Sequence, residues 1–243
     1  CIIASRATAG ASIAITDPFC PNCAKNIAEA GIKTIYIDHK GFDKDWTLRR
    51  VDEFTDLSLR IVERAGIRVC MIHRRDGKIT PMITPSQNYI HPDDRPIHVV
   101  TPPTPLFDAT VLKNFAQSFA PDVRGLPFAA AFVRGQDHSV RILIAEEHVT
   151  IGYDPRSRSD QAEMRDTSTG KYTFLATPMN RLMMAASRLG YKIDPRLVVS
   201  SRVPTSRELV NMVAAGLTTI HIMNPRIARD RAAETGLELL VKN

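Results

Sequence analysis

Two cysteines separated by two residues, Cys20 and Cys23, are the residues of this sequence whose types and spacing best suit chemistry. They stand at the predicted start of a helix, where free backbone amides and the helix dipole stabilise thiolates. Thiolates at this spacing bind zinc, and we interpret the pair as half of a zinc site. A closed zinc knuckle would need a second C-x-x-C or a closely spaced pair of histidines, and the sequence holds neither. A redox pair of the thioredoxin type is the other interpretation, because C-x-x-C at a helix start also suits that chemistry.

The residues around the cysteines predict a strand, a helix and a second strand. The strands cover 12–16 and 33–37, and the helix covers 21–29 with apolar residues at i, i+3 and i+4. Tyr36 and Asp38 come at the end of the second strand, at the kind of edge where α/β proteins bind ligands. This unit would therefore place the cysteines beside a ligand-binding edge.

Beyond this unit, the hydrophobic pattern divides the chain into two halves joined by a proline-rich segment. Seven prolines between 79 and 107 interrupt every periodic pattern, so we predict a linker or extended arm with one strand over 97–100. The predicted domains are therefore 1–78 and 108–243. The other predicted elements are helices over 2–9, 47–65, 108–119, 178–189, 204–216 and 227–235 and strands over 67–72, 128–134, 140–146, 197–201, 218–223 and 237–241.

Composition sets broad limits on class and partners. Of the 243 residues, 44% are hydrophobic, which allows one large domain or two small ones. The sequence shows no long apolar run and no signal-peptide pattern, so we expect no membrane association. Its four cysteines do not form a secreted disulfide framework, which favours a cytoplasmic location. The net charge of +6 suits a nucleotide or nucleic acid, but 6% aromatic residues argue against a stacking platform for long single strands.

The two halves repeat the same order of elements. Segments 1–37 and 181–222 both predict helix, glycine, strand, proline, helix, glycine and strand, which indicates an internal duplication. About 70 residues that precede the aligned helix of the second half have no counterpart in the first. The first copy is therefore expected to be truncated at its N-terminus.

The duplication pairs the cysteines with residues of another type. Cys20 corresponds to Thr205, and Cys23 corresponds to Glu208. A hydroxyl and a carboxylate at this spacing do not make a soft zinc site. We therefore predict that the second copy binds no metal.

The cysteine unit also follows a specific order of residues. A strand ending in Thr is followed by Pro, C-x-x-C-A, a helix ending in Ala-Gly-Ile and a strand that contains Tyr. In this order the chain resembles the zinc-dependent cytidine and deoxycytidylate deaminase superfamily, well over 1–75 and as a degenerate copy over 108–243. One departure is Phe19, because the family usually has its proline directly before the first cysteine. The matching residues are Thr16, Pro18, Cys20, Pro21, Cys23, Ala24, Ala30, Gly31, Ile32, Tyr36 and the later Ala65, Gly66 and Ile67.

The resemblance implies an architecture and a site. Each half would be a three-layer α/β/α domain, with a mixed sheet of about five strands flanked by helices, as in the family. Zinc would be held by Cys20, Cys23 and a histidine, and a glutamate two residues after that histidine would move protons. This His-x-Glu is expected upstream of Cys1. The candidate substrate-binding residues are Thr16, Asp17, Pro18 and Tyr36.

The function implied by the resemblance is hydrolytic deamination of a cytosine-type base in a nucleoside or nucleotide. The second copy would be a non-catalytic partner in an internal pseudo-dimer, and the family habit also predicts a homo-oligomer. The alternative is a catalytically inactive deaminase-fold scaffold or a nucleotide-binding pseudoenzyme. His39 and the pair Arg74-Arg75 are interpreted more simply as solvated residues than as ligands of a substrate phosphate.

Overall fold

The structure is a computed structural model that describes residues 6–49, 51–86, 88–89, 97–119, 126–154 and 174–225. It shows an α/β protein with two mixed sheets, as the sequence predicts. The elements predicted over 227–235 and 237–241 lie outside the described residues. The helix predicted over 2–9 is wrong for 6–9, because backbone groups there bond to other segments: the Thr8 amide donates to the Ser187 carbonyl at 2.9 Å.

The first sheet has four described strands in the order β1-β2-β3-β4. The first three are parallel, and β4 returns antiparallel to β3. Such parallel neighbours need crossover connections, and helix α1 (Pro21–Glu29) supplies the one between β1 and β2. The strands are β1 (Ser12–Ile15), β2 (Thr34–Asp38), β3 (Arg68–His73) and β4 (Lys78–Ile83).

The long helix predicted over 47–65 is divided into several pieces. Helix α2 (Asp45–Leu48) is followed by a helical run over 51–64, which we call α3. Within α3, a π-helical segment (Phe54–Leu59) lies between α-helical ends. Its buried residues join those of α1 on one face of the first sheet. Among the described residues, helices therefore cover one face of this sheet.

The second sheet has five described strands in the order β11-β10-β6-β7-β5. Only the pair β10–β11 is parallel. The strands are β5 (Ile97–Val100), β6 (Phe128–Arg134), β7 (Val140–Glu146), β10 (Lys192–Arg202) and β11 (His221–Asn224), and the short strands β8 (His148–Val149) and β9 (Leu175–Ala176) pair separately.

Helices cover both faces of the second sheet. Alternate residues of β6 divide between them, because successive side chains of a strand point to opposite faces. Ala129 and Ala131 contact the cluster of α5 (Pro178–Leu189) and α6 (Ser206–Ala214), whereas Ala130 contacts that of α4 (Ala109–Phe119). Helices thus lie on both sides of the second sheet, whereas the described helices of the first sheet lie on one side.

The segment that the sequence assigns to a linker contains two strands. The strand predicted over 97–100 is confirmed as β5, but β4 was not predicted because Pro81 interrupts its pattern. Pro81 fits there because β4 is the edge strand of its sheet. Among the described residues, no helix is long and apolar enough to cross a membrane.

Contacts across the two halves form part of the core. Ile151, Tyr153 and Phe174 pack in the same cluster as the first sheet. Tyr153 stacks on Phe174 with ring centroids 4.0 Å apart, and Arg64 of α3 lies over the Tyr153 ring at 4.3 Å. The domain boundaries predicted at 78 and 108 remain predictions, and this shared packing joins the regions on either side of them.

Candidate functional site

The two cysteines lie at the N-terminus of α1, beside the carboxyl edge of the first sheet. Cys20 caps the helix, because its backbone is extended and its sulfur accepts a hydrogen bond from the Cys23 amide at 3.3 Å. Pro21 follows as the first helical residue, where its missing N–H costs no hydrogen bond. The two sulfurs are 3.0 Å apart. The local sequence therefore brings both thiols to one point in front of the helix.

The thiol pair fits zinc as two ligands of a larger set. Cys20 is half-buried and Cys23 is exposed, so an ion from solvent can reach both sulfurs. Zn–S bonds of about 2.3 Å in tetrahedral geometry place two sulfurs about 3.8 Å apart, which a small side-chain rotation would allow. The hydrogen bond to Cys20 raises the pKa of Cys23. Within the described residues, no third His, Cys, Asp or Glu completes a metal-binding group.

The segment between β1 and the cysteines is held by polar contacts at the same edge. Thr16 is exposed and donates its hydroxyl hydrogen to Asp17 at 3.1 Å. Asp17 forms an ion pair with Lys44, and this hydrogen bond lowers the pKa of Asp17. Pro18 is buried. Of these three substrate-binding candidates, Thr16 and Asp17 therefore face the solvent-accessible side of the edge.

A tight turn after β2 packs directly against that segment. The turn covers His39–Gly41, and a Cβ atom at Gly41 would overlap the Thr16 carbonyl oxygen. Glycine is required there by this close backbone approach. The buried hydroxyl of Thr47 donates to the Gly41 carbonyl at 2.8 Å and holds the turn. The loop after β2 is thus fixed beside the cysteine segment.

Charged and aromatic residues from β2 and β3 meet at this edge. Asp38 receives the Lys40 amide at 3.1 Å and forms an ion pair with Arg74. Burial of Asp38 favours its protonated form, but the Lys40 amide and the Arg74 guanidinium outweigh burial and lower its pKa. The rings of His39 and His73 lie 4.7 Å apart. The sequence alone favoured His39 and Arg74 as solvated residues. Their positions directly after neighbouring predicted strands could have indicated that they lie at the same edge of the sheet.

Tyr36 does not lie at the carboxyl edge of the first sheet. It stands in the middle of β2, opposite Ala14 and Cys70. It is half-buried, whereas Ile35 and Ile37 point to the opposite face and are completely buried. Asp17 and Asp38 lie at the edge of the sheet beside the cysteines, whereas Tyr36 does not.

The equivalent position of the second half has the same backbone geometry but different chemistry. Thr205 caps α6 in an extended conformation, and its hydroxyl accepts from the Glu208 amide at 3.3 Å. The carboxylate of Glu208 receives the Thr205 amide at 2.8 Å and hydroxyl at 3.0 Å. It also receives the Met179 amide of α5 at 3.0 Å. Glu208, which is 1% exposed, thus joins the N-termini of α5 and α6.

Removing the Glu208 carboxylate is expected to destabilise the second half. Glu208→Ala leaves buried amides of α5 and α6 without acceptors, so we expect the free energy of unfolding to fall by about 2–4 kcal/mol. Urea unfolding followed by circular dichroism measures the change. Exposed Glu63 of α3 is the matched control, and Glu63→Ala should cost less than about 0.5 kcal/mol. Equal losses in the two variants would contradict a bridging role for Glu208.

A buried lysine of α1 contacts the segment that precedes α5 in the second half. Lys25 of α1 is 1% exposed and donates to the Leu175 carbonyl, two residues before the N-cap of α5, at 2.9 Å. Burial lowers the pKa of Lys25 to about 7, and the charges that oppose or add to this effect include Cys20, Arg207 and Glu208. Lys25 is therefore a buried cation whose charge interacts with both the cysteine site and its counterpart in the second half.

Comparison of the chain with protein-family models, with curated proteins and with solved structures finds no significant match.

Proposed function

We propose that this protein is a zinc-dependent deaminase that hydrolyses the amino group from a cytosine-type base in a nucleoside or nucleotide. The observation that carries the proposal is the convergence of the Cys20 and Cys23 sulfurs at the N-terminus of α1. This point adjoins the carboxyl ends of parallel strands, which is where ligands bind in α/β sheets. The sequence resemblance to the deaminase superfamily supplies the reaction.

The chain's own residues have limited and distinct roles in this proposal. Cys20 and Cys23 hold the metal as thiolates, and the first amides of α1 stabilise their negative charge. Zinc, when bound, supplies a nucleophilic hydroxide from water at neutral pH. Asp17 and Asp38, held by Lys44 and Arg74, shape the polar wall that would contact substrate.

The proposal requires two groups from outside the described residues. These are a histidine as third ligand and a glutamate that moves protons between water, the ring nitrogen and the leaving ammonia. The resemblance implies that they belong to a His-x-Glu segment, which we expect upstream of Cys1. The second half would then act as a non-catalytic copy, and its contact with α1 would replace one of the contacts of a homo-oligomer.

Two measurements on the full-length protein test the proposal. We expect about one zinc per chain by metal analysis, with loss by chelation and recovery on adding zinc. We also expect ammonia release from at least one of cytosine, cytidine, deoxycytidine and their monophosphates. A preparation that holds no zinc even after metal addition would refute the site. Bound zinc and bound nucleotide without ammonia release would favour the scaffold or pseudoenzyme instead.

A further inference from the structure

A large bulge in β10 opens the second sheet at the amino end of that strand. Ile193 pairs with Val133, and the next pair along the ladder joins Val198 to Ala131. The four residues 194–197 therefore face a single residue of β6, Phe132. A bulge of this kind lifts the strand away from its neighbour and is common beside ligand sites. A cavity of about 430 Å³ lies at this position.

The inside of the cavity is apolar and aromatic. Phe132 forms its floor and is 2% exposed. Phe107 forms a wall, with its ring edge-to-face against Phe132 and the two centroids 5.4 Å apart. Phe107 is still 44% exposed, so part of this aromatic side chain is open to solvent. Leu197 adds a further apolar contact from the bulge. Such a lining suits a flat apolar body.

The rim of the cavity carries more positive than negative charge in the described part of the chain. Arg134 and Lys192 are both exposed and stand directly opposite each other on β6 and β10. Like charges at opposed positions of a sheet repel and destabilise it. Arg196 adds a third cation, partly balanced by Asp194 at 3.8 Å. Among the described residues, neither Arg134 nor Lys192 forms an ion pair, so a bound anion would relieve their repulsion.

From this juxtaposition of an aromatic cavity and an opposed cation pair, we propose a binding site for a small aromatic anion. The ring of the ligand lies between Phe107 and Leu197, and its phosphate, carboxylate or sulfonate lies between Arg134 and Lys192. The volume falls within the range of small-molecule sites, which is about 300–1,000 Å³. The cavity is at the amino end of β10, whereas Thr205 and Glu208 follow the carboxyl end of the same strand. The site is thus separate from the cysteine pair and does not depend on its function.

Paired probes that differ only in charge test this proposal on the full-length protein. Naphthalene-1-sulfonate and neutral 1-naphthalenemethanol are titrated by calorimetry at physiological salt, and AMP and adenosine form a second pair. We expect each anion that binds to do so about tenfold more tightly than its neutral partner, because two cations contact it. Competition between AMP and naphthalene-1-sulfonate would identify phosphates as ligands. Binding of the sulfonate alone would restrict the site to non-nucleotide aromatic anions.

Charge reversal at the rim locates the site. In the double variant R134E/K192E we expect anion affinity to fall at least about tenfold, with little effect on the neutral probe. Exposed Arg68 of β3 is the matched control, and R68E should bind as the unmodified protein does. F107A should weaken the charged and neutral probes to the same extent. Unchanged binding in the double variant, equal affinity for charged and neutral probes, or no binding of any probe at about 1 mM would overturn the proposal.

Discussion

Cys20→Ala is expected to remove zinc from the protein and to abolish any deamination. Cys20 contributes one of two thiolates, and its sulfur also accepts the Cys23 amide at the helix start. A tetrahedral site that loses one thiolate has too few protein ligands to retain the ion against chelators. We expect metal content to fall from about one zinc per chain to less than about one tenth, and activity to fall at least about 100-fold. Atomic absorption and ammonia release measure the two effects.

The corresponding residue of the second half is the control for this experiment. Thr205→Ala removes the equivalent capping side chain from α6, with a stability cost of about 1 kcal/mol. Because Glu208 already occupies the position of the second ligand with three hydrogen bonds, zinc content should not change. Equal loss of zinc in both variants, or in neither, would show that the metal is bound elsewhere.

The largest expected effect on stability is at Arg181, which links the two halves. Its side chain is 0% exposed on α5, donates to the Glu146 carbonyl at 2.6 Å and approaches the Glu29 carboxylate of α1 at 3.5 Å. Arg181→Met leaves Glu29 buried without this cation. Breaking a buried ion pair from one side costs about 3–5 kcal/mol, and we expect a loss of this size in the free energy of unfolding. Urea denaturation monitored by intrinsic fluorescence measures it.

Two further variants separate the ion pair from simple loss of packing. Arg188 lies on the same helix, is half-exposed and forms no ion pair among the described residues, so Arg188→Met should cost less than about 1 kcal/mol. The double variant Glu29→Gln with Arg181→Met should lose less than the sum of the two single losses, because the uncompensated buried charge is removed. Additive losses would contradict direct coupling between α1 and α5 through this pair.

Regular elements with strong local patterns were predictable to the residue. Helices 21–29 and 178–189 and strands 128–134 and 140–146 have the predicted bounds. The helices combine a helical hydrophobic period with a proline start, and the strands are short apolar runs that end at charged residues. Elements that depend on neighbours were predicted less well. Strand β4 contains Pro81 and exists only as the edge partner of β3, and β10 extends well beyond the predicted 197–201 because β6 pairs with both ends of it.

The cysteine pair was determined by the sequence itself. Spacing of two residues at a helix start brings Cys20 and Cys23 together through one turn of local structure, and no distant contact is needed for it. The alignment of Cys23 with Glu208 could also be found without coordinates. The capping of α6 by Glu208 follows from the local Thr-x-x-Glu spacing, but its bond to the Met179 amide could not be found in this way, since Met179 is 29 residues away along the chain.

Only the tertiary structure determines which charged residues lie beside the cysteine pair and where the cavity of the second sheet forms. Asp17, Asp38 and Arg74 come from three strand ends, and only the parallel order β1-β2-β3 brings them to one edge. The cavity beside Phe107 exists because residues 194–197 find one partner residue in β6, which depends on the register of a long-range ladder. Local pattern determines an element and its capping residues, whereas pairing between distant strands determines which side chains meet.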